Sequence, residues 1–147
     1  MEHINISAKD LRLMGEKAQR CIDSHAKQAL VVSYIPLVSL PIVYGVCAKM
    51  IVKLDKIFGI PTAKGLGSEI LQDVMVGVIV APALAIPILG ASVATFYIKS
   101  IGRNYTSAVT AVINTDPIHK LCDSAFAAKR IREELQKIHA SQRKEQL

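Results

Sequence analysis

Two stretches without a formal charge constrain this chain more than anything else: Gln28 to Ala48, 21 residues, and Val74 to Ile98, 25 residues. Each contains a Pro-x-x-x-x-Pro pair, Pro36/Pro41 and Pro82/Pro87, and the pairs are offset by 46 residues. A transmembrane helix needs about 20 continuous apolar residues, so length alone permits a span. Two prolines, joined in the second stretch by Gly77 and Gly90, argue against one uninterrupted helix. Each arm is then about 8 to 12 residues, or roughly 12 to 18 Å, short of the ~30 Å hydrocarbon layer.

Charge placement points the same way. If each stretch crossed a bilayer once, residues 49–73, with four lysines, would lie opposite both termini. The tendency of basic flanks to stay on one side favours hairpins instead. The expected hairpin tips are Ile35, Leu37, Val38 and Leu40, then Ala83, Leu84, Ile86, Ile88 and Leu89. Loops are ordinarily polar, and an exposed apolar patch marks a membrane or partner site. The competing arrangement tucks the tips against the last helix.

Helical periodicity predicts five helices, over 6–34, 41–58, 62–81, 88–113 and 117–141, with 142–147 as a tail. Ser7 with Asp10 resembles a capping box, and Leu11, Met14, Ala18, Cys21, Ile22, His25 and Ala29 recur on one face. Lys49, Lys53 and Lys56 share one face of the second helix, opposite Val43, Cys47, Met50, Ile51, Leu54 and Phe58. Gly59 then Pro61 make a stop. The fourth helix turns Ala94, Ile98, Ile101, Tyr105, Val109 and Val112 inward, and Thr95, Lys99, Arg103, Thr106 and Thr110 outward. Asp116 is the expected cap of the last helix, with Pro117 at its first position and a stripe of Leu121, Ala125, Ala128, Leu135 and Ile138. The expected fold is a single all-α domain: two proline-looped α-hairpins, written twice at the 46-residue offset, plus a C-terminal helix.

A chain of 147 residues suits one domain. Tryptophan is absent and aromatics make up 5%, so interfacial aromatic belts are missing and the core falls to aliphatic residues. Residues 99–147 hold nine Lys/Arg and five Asp/Glu, which is +4 of the net +6. Lys129, Arg130, Arg132 and Lys137 form the expected basic face of the last helix, suited to an anionic membrane surface or else to a solvated mixed-charge role; nucleic acid is not an expected partner. Cys21, Cys47 and Cys122 are odd in number and widely spaced, and no secretory signal is evident, which predicts a reducing, cytoplasmic-side environment.

Catalytic constellations are weak. Gly65-Leu-Gly-Ser68 has no lysine or preceding strand, so it reads as a helix start rather than a phosphate cradle. Cys21/His25 and His119/Cys122 have helical spacings that zinc could use, yet Cys21, His25 and Cys122 fall on or beside core stripes, and no metal or other cofactor is assigned. Glu69 and Asp73 read as a solvated face, and the chain is read as a non-enzyme.

The order of features is nonetheless distinctive: "IPLVSLP", then "AKMIVKLDKIFGIP", then "AIPILGASVATFYIKSIGRNY". Phe58-Gly59-Ile60-Pro61, the second proline/glycine turn, Ala94-Thr95-Phe96, Ile101-Gly102 and Tyr105 together resemble the YcjF-like bacterial family of unknown function, often fused to or encoded near Era-like small GTPases. The resemblance covers about residues 26–112. It implies an all-helical, membrane-associated accessory module and brings no catalytic residue. No G-x-x-x-x-G-K-[ST] is present, so a GTPase would act in trans. The expectation is a module on the cytoplasmic side of a membrane, peripheral or hairpin-inserted, binding a GTPase or larger assembly and forming a homo-oligomer. A soluble cytoplasmic adaptor is the alternative, and a pore-type inserting protein the third.

Overall fold

The computed structural model describes residues 6–32, 39–60 and 87–145. These residues form five helices and no strand: α1 (Ala8–Val32), α2 (Ser39–Phe58), α3 (Pro87–Thr115), α4 (Ile118–Leu121) and α5 (Ser124–Glu145). The all-α expectation holds. The helix expected over 62–81, the tip residues Ile35, Leu37, Val38, Ala83, Leu84 and Ile86, and Gly65 to Ser68 lie outside the described residues.

Local chemistry sets the helix ends. Ser7 and Asp10 form the reciprocal box: the Asp10 N–H donates to Ser7 Oγ at 3.1 Å and the Ser7 N–H to Asp10 Oδ2 at 3.3 Å. At the end of α2, Gly59 takes φ +71°, and two backbone bonds close the terminus, Gly59 N–H to Lys56 O at 3.3 Å and Ile60 N–H to Asp55 O at 3.0 Å. That pair of bonds is the Schellman pattern, and Ile60 is buried beside it.

The C-terminal region departs from expectation. The single helix over 117–141 is two helices, broken at Cys122 and Asp123. Asp123 accepts the Ala125 N–H on its side chain (3.0 Å) and the Ala127 N–H on its carbonyl (2.9 Å), starting a new helix. The expected stripe survives the break at four of its five positions: Leu121, Ala128 and Leu135 are buried and Ile138 packs against the core. Ala125 is exposed rather than part of the stripe, and Ala127, Ala128, Ile131 and Leu135 are the buried residues of α5. Asp116 makes no cap either: Pro117 stands at the N-cap of α4 with no side-chain cap bond, and Asp116 serves Arg130 instead.

α3 is central, packing on α1, α2 and α5. The six-residue connection 33–38 makes α1 and α2 antiparallel neighbours. Counted from that connection, Asp55 stands sixteen residues along α2 from Ser39, and Ile22 ten residues back along α1 from Val32. Tyr105 bonds Asp55, while Gly102, three residues earlier, meets Ile22. Moving back along α3 therefore moves toward the α1–α2 connection, so α3 begins at that end of the bundle. The Asn104–Gln142 and Asp116–Arg130 pairs run α5 antiparallel to α3.

The core is aliphatic, with Ala18, Ile22, Ala26 and Ala29 of α1 against Met50, Ile51 and Leu54 of α2 and Ile98, Ile101, Val109 and Val112 of α3. Gly102 is the closest fit. A Cβ there would lie 2.6 Å from Ile22 Cγ1 and 2.9 Å from Cδ1. Ile is stiff at χ1 in a helix, so Cγ1 cannot swing aside. Gly102→Ala is expected to lower stability by about 1–3 kcal/mol in a denaturant melt. Combined with Ile22→Ala, it is expected to cost less than the sum of the two single changes; full additivity would show that the helices do not touch there.

Candidate functional site

Two groups of polar side chains and one set of exposed residues carry whatever chemistry the described residues offer. Deepest is Asp55 with Tyr105, each 1% exposed, where the phenol donates a short hydrogen bond to Asp55 Oδ1 across the α2–α3 interface. Burial, then the Asp55 charge and the bond to it, hold the Tyr105 phenol well above its ordinary value. A carboxylate removed from water requires such a donor, and Tyr105 supplies it from the stripe that the sequence marked as inward-facing.

His25 is a satisfied core histidine. Its Nδ1 lies 2.7 Å from the Cys21 carbonyl oxygen, to which it donates, and 3.6 Å from Cys21 Sγ. Burial raises the Cys21 thiol, with Lys53 opposing, and burial pushes Cys47 up to about 12. Both thiols are therefore protonated at neutral pH and poor as nucleophiles or ligands. Cys122 is exposed at the α4–α5 break, not on a core stripe, and His119 is exposed on α4. No three His, Cys, Asp or Glu side chains gather as a metal-ligand set among the described residues.

The basic face of the last helix is not an open array of four cations. Arg130 is tied to Asp116 (2.9 Å), Glu133 (2.5 Å) and Glu134 (3.4 Å), so it clamps the α3–α4 corner onto α5. Lys137 reaches Glu134 at 2.8 Å, and Arg132 is half-buried with its Nε turned from solvent. Lys129 alone of the four is both exposed and without a carboxylate partner among the described residues. Spacing counted these charges but not Asp116, which folds back from 14 residues away.

Leu40, expected in a tip loop, belongs by its backbone to the first turn of α2; Ile88 and Leu89 lie in the first turn of α3. Phe96, by contrast, is 74% exposed one turn ahead of Lys99, and sequence analysis did not single it out as a site residue. Its signal was available: it sits opposite the inward stripe of α3. No helix among the described residues is long and apolar enough to cross a membrane.

Comparison with known proteins adds nothing to this geometry: no family model, curated protein or solved structure matches the chain.

Two outcomes are expected at these groups. Because the Tyr105 phenol is raised in the folded state, its stabilising contribution is complete below the ordinary phenol value of 10.0 and fades as pH rises beyond it. Melting temperature should fall above about pH 10, and the fall should be shallower in Tyr105→Phe, which itself costs about 1–3 kcal/mol at neutral pH by leaving Asp55 short of a donor. Arg130→Gln should cost about 1 kcal/mol, measured by thermal melting, since a partly solvated ion-pair cluster contributes little per pair.

Proposed function

We propose that this chain is a non-enzymatic helical accessory module that works at the cytoplasmic face of a membrane and binds a GTPase or larger assembly in trans. The observation that carries the reading is the convergence of charge-free chain at one end of the bundle. The end of α1 and the start of α2 meet there, as does the start of α3, and the uncharged stretches 28–48 and 74–98 include those helix ends. A water-exposed bundle end is ordinarily polar, so apolar chain concentrated at one end favours lipid or a protein partner over bulk water. The GTPase component rests on the resemblance of residues 26–112 to the YcjF-like family.

Leu37→Glu combined with Leu84→Glu tests the reading. An exposed tip leucine loses little folding stability on becoming charged, within about ±0.5 kcal/mol. A buried one would bring an unpaired carboxylate into the core and cost at least several kcal/mol. The expected double variant melts with wild-type cooperativity and no longer floats with liposomes or retains partner proteins. An unfolded or insoluble variant would show the tips to be core. Wild-type binding by a well-folded variant would remove the tips from the interaction. A defined oligomer in detergent-free light scattering, with no liposome binding by the unaltered chain, would assign the protein to the soluble adaptor class.

A further inference from the structure

The relative heights of the helices place three lysines together. Counting back six residues from the Asp55–Tyr105 bond puts Lys49 level with Lys99, and counting from the Ile22–Gly102 contact puts Lys99 level with His25. Lys27 is two residues away along α1, about 3 Å. These are the first charges met on leaving the uncharged end of each helix: Lys27 before Gln28, Lys49 after Ala48, Lys99 after Ile98. None of them, nor Arg103 on the next turn of α3, makes an ion pair among the described residues. α2 and α3 together contain one acidic residue, Asp55, and it is buried against Tyr105.

Beyond this level the helices carry no charge. In α2 the uncharged end is Ser39–Ala48, ten residues, and in α3 it is Pro87–Ile98, twelve. At 1.5 Å per residue these reach about 15 and 18 Å, against about 15 Å for half the hydrocarbon layer. Phe96, 74% exposed, sits one turn inside Lys99 on the same side of α3 as Arg103, with no polar atom to satisfy in water.

We infer that Lys27, Lys49 and Lys99 form a collar that seats this end of the bundle in a single leaflet of an anionic membrane. The lysines pair with lipid phosphates, and Phe96 enters just beneath them. Long basic side chains suit that boundary because the alkyl stem stays in apolar surroundings while the ammonium reaches the headgroups. An acidic protein would satisfy the charges, but it would not call for an uncharged length matched to one leaflet. The inference rests on the membrane reading above and adds the lipid class and the depth of insertion.

Vesicle co-sedimentation of the full chain tests it, with phosphatidylcholine alone and phosphatidylcholine containing phosphatidylglycerol. The unaltered protein is expected to bind the anionic vesicles more tightly. Lys27→Gln/Lys49→Gln/Lys99→Gln should weaken that binding about a hundredfold, at roughly fivefold per charge. Lys9→Gln/Lys120→Gln/Lys129→Gln removes the same net charge from exposed positions away from the collar and should weaken it far less. Phe96→Ser should lose about tenfold on both vesicle types. Circular dichroism melts confirm that each variant is folded. Equal losses in the two triple variants, or equal binding of the unaltered protein to both vesicle types, would overturn the collar while leaving membrane association standing. Binding to neither vesicle type would remove the membrane reading as well. Binding to soluble polyglutamate as tight as to anionic vesicles would assign the lysines to an acidic protein and overturn the lipid assignment.

Discussion

Where α1 and α3 meet, the side chain of Ile22 fills the space that a Cβ on Gly102 would occupy. That contact is possible only because Gly102 offers no side chain of its own. Around the contact, α1 presents Ala18, Ala26 and Ala29, all buried. Small residues at helical spacing keep the helices near one another along their length, so the core is filled by aliphatic side chains interdigitating across short gaps. With three phenylalanines, four tyrosines and no tryptophan in the chain, little aromatic bulk is present to hold the helices farther apart.

Charge is sorted as strongly as volume. The described carboxylates lie on α1, the α3–α4 corner, the α4–α5 break and α5, apart from Asp55 in the core. At the α3–α4 corner they are used: Arg130 gathers Asp116, Glu133 and Glu134, turning a chain reversal into a fixed angle. At the opposite end Lys27, Lys49 and Lys99 have no carboxylate partner among the described residues. The two ends differ in this: one holds an arginine gathered by three carboxylates, and the other holds lysines bordering uncharged helix ends.

Much of this was legible in the sequence because it depends on neighbours three or four residues apart. The Ser7–Asp10 box, the Gly59 stop and the core faces of α1, α2 and α3 are local or periodic features, and the structure reproduces them. The break at Cys122–Asp123 was missed because Leu121, Ala125 and Ala128 keep helical spacing across it, hiding the capping aspartate. Asp116 was misjudged for a different reason: its partner, Arg130, is reached only after two further helices have begun. The shared height of Lys27, Lys49 and Lys99 is likewise invisible along the chain, since it depends on which residues of α1 face α2 and α3.

The Asp55–Tyr105 bond has a consequence for how α2 pairs with α3. At the 46-residue offset, the counterpart of Asp55 is Ile101 and the counterpart of Tyr105 is Gly59, so neither copy carries both members of the bond. A buried carboxylate fixes the pairing of α2 with α3, because a slip by one turn would carry the Tyr105 hydroxyl away from it. The bond acts as a key between two largely aliphatic helix faces, giving them one height at which to close.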